Sequence, residues 1–399
     1  MIRVLMIGQL PIEAGGNYTT GAANVVYELS KTKVDGIALF TFGTNISNKN
    51  ALKISSYPNQ YLGYGYNIVS FLKNAIFHPI LTVKQLQHFK KVDHESPLRY
   101  YYYLCNISRA ITKVHPDVIH VHSIANLSAT KFALGEQKIP ILLTCHGIFY
   151  RGNSADKSRR DKWLGNIGFA DAYTGLTQES KQEYEQYLGI DSTHVTVVPN
   201  GVNCSKFYYS LEARKTIRES MNLKDDCIVF ITVASVQQRK GQYQFVKLLK
   251  KLKHPYQYWI IGKGEDESLI KHYISENGME DNVKLFGFKE PKQLYQYYSA
   301  ADIYAHVSEK EGQALSELEA NATGLRTIVN KKIIGTIAND ETSPSYFVLD
   351  FDHIDSKELI QWITNGICNQ RNSNHSYSWS VIAEKYAQLY RRFYKNYKK

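Results

Sequence analysis

Cys227-Ile228-Val229-Phe230-Ile231-Thr232-Val233 is an uncharged run without glycine or proline, rich in β-branched side chains, the make-up of a strand covered on both faces of a parallel sheet. Its place in the chain matters as much as its composition. Upstream, a first series of such runs opens with Ile2-Arg3-Val4-Leu5-Met6-Ile7-Gly8. It continues through residues 36–40, 117–121, 139–145, 172–177 and 195–198 and closes on the turn Pro199-Asn200-Gly201. The run at 227–233 starts the series again, with further strands expected at 256–261, 283–286, 303–307, 326–329 and 346–349. Helical stretches separate the runs, so each series spells a doubly wound α/β domain. Polar residues 207–226, expected to include a short helix, connect the two. The boundary therefore falls near residue 205, giving domains 1–205 and 206–378. Residues 379–399 read as an aromatic helix, with six Lys/Arg and no acid from Lys385 onward, long enough to pack back across both domains.

Composition narrows the class. A chain of 399 residues exceeds one core of ordinary size and suits two domains. With 43% hydrophobic and 21% charged residues it is neither disordered nor fibrous. The net charge of +11 divides almost evenly about residue 200, so no basic tail or arm points to nucleic acid. Five scattered cysteines without a CxxC pair argue against a disulfide framework or a thiolate metal site and fit a reducing cytosol. The best apolar stretch, 139–150, is far short of a bilayer span, and no basic-then-apolar leader precedes the first strand, so a soluble or peripheral protein is expected. The 30 tyrosines against 16 phenylalanines stand out; they suit sugar or headgroup surfaces and half-buried packing alike.

The richest segment for chemistry follows the strand at 303–307. In Ser308-Glu309-Lys310-Glu311-Gly312-Gln313-Ala314-Leu315-Ser316-Glu317-Leu318-Glu319-Ala320-Asn321-Ala322-Thr323-Gly324, apolar Leu315, Leu318 and Ala322 predict a helix over about 313–323 stopped by Gly324. Free backbone N–H groups at its start form an anion site, which lies between Glu311 in the loop and Glu319 in the helix. A phosphate held between two carboxylates is what a nucleotide sugar asks for, a diphosphate flanked by two polyols. Glu309 and Glu317 read as solvated surface acids. A second segment, Ser235-Val236-Gln237-Gln238-Arg239-Lys240-Gly241, places Arg239 and Lys240 in a strand-to-helix loop, where a fork and a point charge can neutralise a diphosphate leaving group. Near the N-terminus, Gly15, Gly16 and Gly21 precede a helix and let backbone approach a ligand. Neither this loop nor Gly262-Lys263-Gly264 has GxGxxG spacing; Glu267 stands where the latter's third glycine belongs, which argues against a dehydrogenase.

The ordered set resembles family 4 of the glycosyltransferases, retaining enzymes of the GT-B fold, in which two Rossmann-like domains face each other across a cleft. The similar stretches are the glycine loop, Pro116-Asp117-Val118-Ile119-His120-Val121-His122-Ser123, residues 139–147, Val198-Pro199-Asn200-Gly201-Val202, Arg239-Lys240-Gly241, Ile260-Ile261-Gly262-Lys263-Gly264, Phe286-Gly287 and the Glu-x7-Glu pair Glu311 and Glu319. The resemblance implies an acceptor-side first domain and a donor-binding second domain. It implies that Glu319 binds the nucleotide ribose, that Glu311 and the turn Gly312-Gln313-Ala314-Leu315 meet the donor sugar, and that Arg239 and Lys240 hold the diphosphate. His146 would lie at the reacting face, the Gly15-Gly16 and Gly21 loop beside the diphosphate, and the backbone near Phe288 against the base. The reaction would then be a front-face transfer needing neither cofactor nor metal. Its partners would be a nucleotide sugar, most readily a UDP-sugar, and a glycan or lipid-linked acceptor in bacterial surface-polysaccharide synthesis. Four positions depart from the family pattern: Ser235 for Arg, Gln313-Ala314 for Phe-Gly, Arg326 for Pro and Asn203 for Asp. They leave open a catalytically silent GT-B subunit that binds glycan or a partner protein.

Two further features compete. Asp350-Phe351-Asp352-His353 matches a DxD pattern that binds a divalent cation in another fold, but its place before a helix start favours loop and cap roles. Between Lys73 and Lys113, seven Lys/Arg against two acids are interleaved with Phe71, Phe77, Phe89 and tyrosines 100–103. This is either an anionic membrane or headgroup surface, on a cytoplasmic protein peripheral to the plasma membrane, or a solvated helix pair.

Overall fold

The computed structural model describes residues 1–14, 16, 20–47, 61–64, 68–91, 97–148, 154–337, 345–353, 356–365, 371 and 375–397. The chain forms two compact units, Met1–Asn200 with Trp379–Lys399, and Gly201–Ser378.

The first unit is built on a seven-stranded parallel sheet in the order β3-β2-β1-β4-β5-β6-β7. Its strands are β1 (Ile2–Gly8), β2 (Ile37–Ser47), β3 (Tyr61–Tyr64), β4 (Val118–Val121), β5 (Ile141–Thr144), β6 (Ala172–Gly175) and β7 (Val195–Val197). The apolar runs in the sequence mark every strand but β3. Tyr-Leu-Gly-Tyr is too short, and its glycine too weak a strand former, to carry an alternation signal. The core between the sheet and its helices is aliphatic, with Leu5, Ile7, Ile119, Val121, Ile141 and Leu143 almost fully buried. The helix Trp379–Tyr397 buries Trp379, Ile382, Ala383, Tyr386, Ala387 and Tyr390, a stripe at helical spacing, within this unit. The Tyr390 hydroxyl sits 2.7 Å from Nδ1 of buried His120, whose Nε2 is 2.7 Å from the Thr144 hydroxyl.

In the second unit six parallel strands run β10-β9-β8-β11-β12-β13. They are β8 (Ile228–Val233), β9 (Tyr256–Ile261), β10 (Val283–Gly287), β11 (Ile303–His306), β12 (Arg326–Asn330) and β13 (Tyr346–Leu349). The connecting segment carries the expected helix, Leu211–Ser220, capped by the Ser210 hydroxyl accepting from the Ala213 N–H. Strand order reverses between β8 and β11, the switch point at which ligands bind in open α/β sheets.

Neutral histidines are built into the first unit. Burial holds His120 down to about 3 and His146 to about 4, and His122 well below its ordinary value. The unfolded chain therefore takes up protons below pH 6.5 that the folded unit refuses until pH 4 or lower, so stability falls as pH drops through that window. Acidification from pH 7 to pH 5 is expected to cost on the order of 1–2 kcal/mol per histidine. Faster amide exchange of β4 and β5 at pH 5, corrected for intrinsic rates, would register it; unchanged protection would contradict it.

Candidate functional site

The loop after β8 and the loop after β11 are locked together by backbone. Gly241 has φ +72°, and a Cβ there would come 2.1 Å from the Val307 carbonyl oxygen; only glycine fits. Beside it, the Glu309 N–H donates to the Arg239 carbonyl at 2.8 Å. This contact brings Lys240 onto the Glu311 carboxylate as an ion pair, with Arg239 at 4.0 Å from its other oxygen. Burial alone would raise the Glu311 carboxyl, but the Lys240 ammonium, His306 and hydrogen bonds hold it below the usual range. Burial lowers Lys240 despite that carboxylate. Both groups remain charged near neutrality.

The following helix runs Leu315–Ala322, beginning two residues later than the periodicity predicts, with Ala314 as its cap residue and no side-chain capping bond. The N–H groups of such a helix start favour an anion. Glu319, four residues into the helix, accepts a hydrogen bond from the buried Tyr298 hydroxyl at 3.0 Å, and burial pushes its carboxyl up to about 7. Glu309 is exposed, as expected of a surface acid. Glu317 corrects the sequence reading: it is fully buried, bonded by the Asn321 amide and by the Tyr346 hydroxyl at 2.5 Å. The helix is covered on two sides, so its 317/321 row faces β13 instead of water.

Tyr298, Tyr304, Tyr346 and His306 were not picked out in the sequence as site residues. The Tyr304 hydroxyl is 2.7 Å from that of Ser316, so three tyrosines anchor this one helix. His306 is buried beside Glu311 and Lys240, and its ring nitrogens make no hydrogen bond among the described residues. The period-2 pattern of Ile303-Tyr304-Ala305-His306, which puts Tyr304 and His306 on one face, is the signal that could have found them. Phe288 follows β10 and is exposed.

Arg239, Lys240, Glu311, Gly312, Gln313, Ala314, Leu315 and Glu319 thus gather over one sheet of the second unit. His146, Gly16 and Gly21 belong to the first; Gly15 lies outside the described residues. There the Gly16 N–H donates to the Pro11 carbonyl at 2.9 Å, and Gly21 opens a helix capped by Thr20. His146 Nε2 is 3.1 Å from His122 Nδ1, the rings stacked, and both line a cavity of about 230 Å³ with Gln9, Ser123, Asn126 and Trp163.

Several departures have structural explanations. Arg326 stacks on Trp362 at 3.5 Å and donates to its carbonyl at 2.7 Å, tying β12 to the end of the helix Ser356–Asn365. Asn203 accepts from the Ser205 and Lys206 N–H groups, a turn role an aspartate would also fill. Ser235 is exposed, while its carbonyl accepts from the Gln242 amide. In the DxD segment, Asp350 accepts from the Asp352 N–H and pairs with Lys331 at 3.1 Å, a loop role.

Against known families, residues 72–206 match the model described as Glycosyltransferase Family 4, and residues 213–364 that described as Glycosyl transferases group 1. The chain belongs to glycosyltransferase family 4. Among the relatives of this glycosyltransferase is the alpha-monoglucosyldiacylglycerol synthase of Acholeplasma laidlawii. It is 23% identical over 242 residues, 55% of this chain and 60% of that protein. The UDP-Gal:alpha-D-GlcNAc-diphosphoundecaprenol alpha-1,3-galactosyltransferase of Escherichia coli is 25% identical over 284 residues, 68% of this chain and 72% of its own. The crystal structure of Anabaena HepE in complex with UDP matches with a TM-score of 0.66 at 17% identity, covering 99% of this glycosyltransferase and 98% of that chain. The fold is GT-B.

Proposed function

We propose that the protein transfers a hexose or N-acetylhexosamine from a UDP-sugar to a glycan or lipid-linked acceptor, with retention of anomeric configuration. The observation that carries this reading is the Lys240–Glu311 ion pair in the loop just before the helix Leu315–Ala322, which carries Glu319. A diphosphate entering there would draw Lys240 and Arg239 to its oxygens and meet the start of the helix, releasing Glu311 to accept sugar hydroxyls. Glu319 would take the ribose hydroxyls. As the glycosidic bond breaks, charge grows on the diphosphate, where Lys240 and Arg239 stabilise it more than in the ground state. The acceptor proton can pass to that leaving group on the same face. The named donor of the Escherichia coli relative and the UDP of the HepE complex support the choice of base. The lipid products or acceptors in the relatives' names support the acceptor class. The free cysteines among the described residues fit a cytoplasmic setting.

The test is a donor panel of UDP-, GDP- and ADP-sugars with polyprenyl-diphosphate-linked and soluble glycan acceptors, the product's anomeric proton read by NMR. UDP-sugar turnover with the donor's α-configuration kept is expected. An inverted product, or turnover with GDP-sugars alone, would overturn the reading.

A further inference from the structure

The corner between the helices Ile68–Phe77 and Pro79–Lys91 presents large apolar side chains to water. On the second, Thr82, Gln85 and Phe89, at i, i+3 and i+7, are buried, so two polar side chains occupy the inner face. The outer faces carry Leu72, Ile76, Phe77, Ile80, Leu81 and Val83. Ile76, Phe77 and Ile80, at the corner between the helices, are 71%, 73% and 73% exposed, a cluster that ordinary surfaces do not hold. The same stretch has four lysines, Lys73, Lys84, Lys90 and Lys91, all exposed, and no Asp or Glu. The sequence suggests a basic aromatic surface. The structure keeps Phe77 on that surface beside Ile76 and Ile80 and buries Phe89, while the side chains of Phe71 and tyrosines 100–102 lie outside the described residues.

Charge decides what covers this face. A second copy meeting it symmetrically would set like-charged lysines against each other. An anionic bilayer supplies both chemistries at once, acyl chains for the corner and headgroup phosphates for the lysines. Neither helix is long enough to cross a bilayer, so the pair would lie in the interface. We propose that the corner formed by Ile76, Phe77 and Ile80 inserts into the headgroup–acyl boundary of an anionic leaflet, with Lys73, Lys84, Lys90 and Lys91 on lipid phosphates. This surface is separate from the donor site and would hold the protein where lipid-linked acceptors reside.

Flotation with vesicles tests it, using 30% phosphatidylglycerol in phosphatidylcholine against phosphatidylcholine alone. The wild type is expected to float with the anionic vesicles only, each lysine adding roughly fivefold to the partition coefficient at low salt. Combining Ile76→Ser, Phe77→Ser and Ile80→Ser should cut binding at least tenfold with the melting temperature unchanged. As a second readout, Ile80→Trp should show blue-shifted fluorescence on adding anionic vesicles. Undiminished binding of the triple variant, or no shift for Ile80→Trp, would overturn the proposal. So would a wild-type dimer that the triple variant splits while vesicle binding stays absent, which would make the face a self-association surface. No nucleotide sugar enters these assays, so the donor-site reading stands or falls separately.

Discussion

Lys240→Ala should lower kcat about 10²- to 10³-fold while changing KM for the donor by less than tenfold. Lys240 is a charge aimed at atoms that become more negative as the sugar leaves, so its contribution is larger in the transition state than in the bound donor. Arg239 stays nearby and should sustain part of the ground-state attraction, which is why binding suffers less than turnover. The substitution also strands the largely buried Glu311 carboxylate, whose charge Lys240 now balances. That structural cost can be separated out. Lys240→Ala combined with Glu311→Gln should regain the stability lost in the single variant without regaining kcat. A Lys240→Ala enzyme within threefold of wild-type kcat would remove Lys240 from the chemistry.

Glu319→Gln should have two effects of opposite sign. Losing a carboxylate that accepts hydroxyl hydrogen bonds should weaken UDP binding about 10- to 100-fold, the cost of a charged hydrogen bond of about 1–3 kcal/mol. The ligand-free protein should meanwhile become more stable at pH 8. The folded pKa of Glu319, about 7, lies above the ordinary 4.5, so folding favours the protonated carboxyl. The stability this group contributes is full below pH 4.5 and is lost as pH rises through 7. Glutamine has no proton to lose. The variant's melting temperature should therefore exceed the wild type's at pH 8 and approach it below pH 4.5, a difference in which other titrating groups cancel. A variant no more stable at pH 8 would show that Glu319 is not held neutral by its surroundings.

The two series of apolar runs made the fold legible, because strands buried on both faces leave little choice of residue. The Rossmann-like order followed from the restart at 227–233. Spacing also marked the ends of the site, since Arg239, Lys240, Glu311 and Glu319 all follow strand ends. What it left dark was which polar groups are shielded. The amphipathic reading of Glu317 assumed one wet face, and the helix has two dry ones. The tyrosine excess suits ligand surfaces and half-buried packing alike, and Tyr298, Tyr304 and Tyr346 take the second course, as buried hydroxyls that orient the acidic helix. Which tyrosine finds which carboxylate depends on strand order and register, and no local pattern carries that information. The same limit applies at residues 76–80, where nothing local tells that Ile76, Phe77 and Ile80 are exposed.

In a crystal structure with UDP bound, Lys240 Nζ should leave Glu311 for a phosphate oxygen, the phosphates should meet the backbone N–H groups at the start of the helix Leu315–Ala322, and the ribose hydroxyls should lie on Glu319. UDP bound elsewhere, with the Lys240–Glu311 pair intact, would contradict this placement.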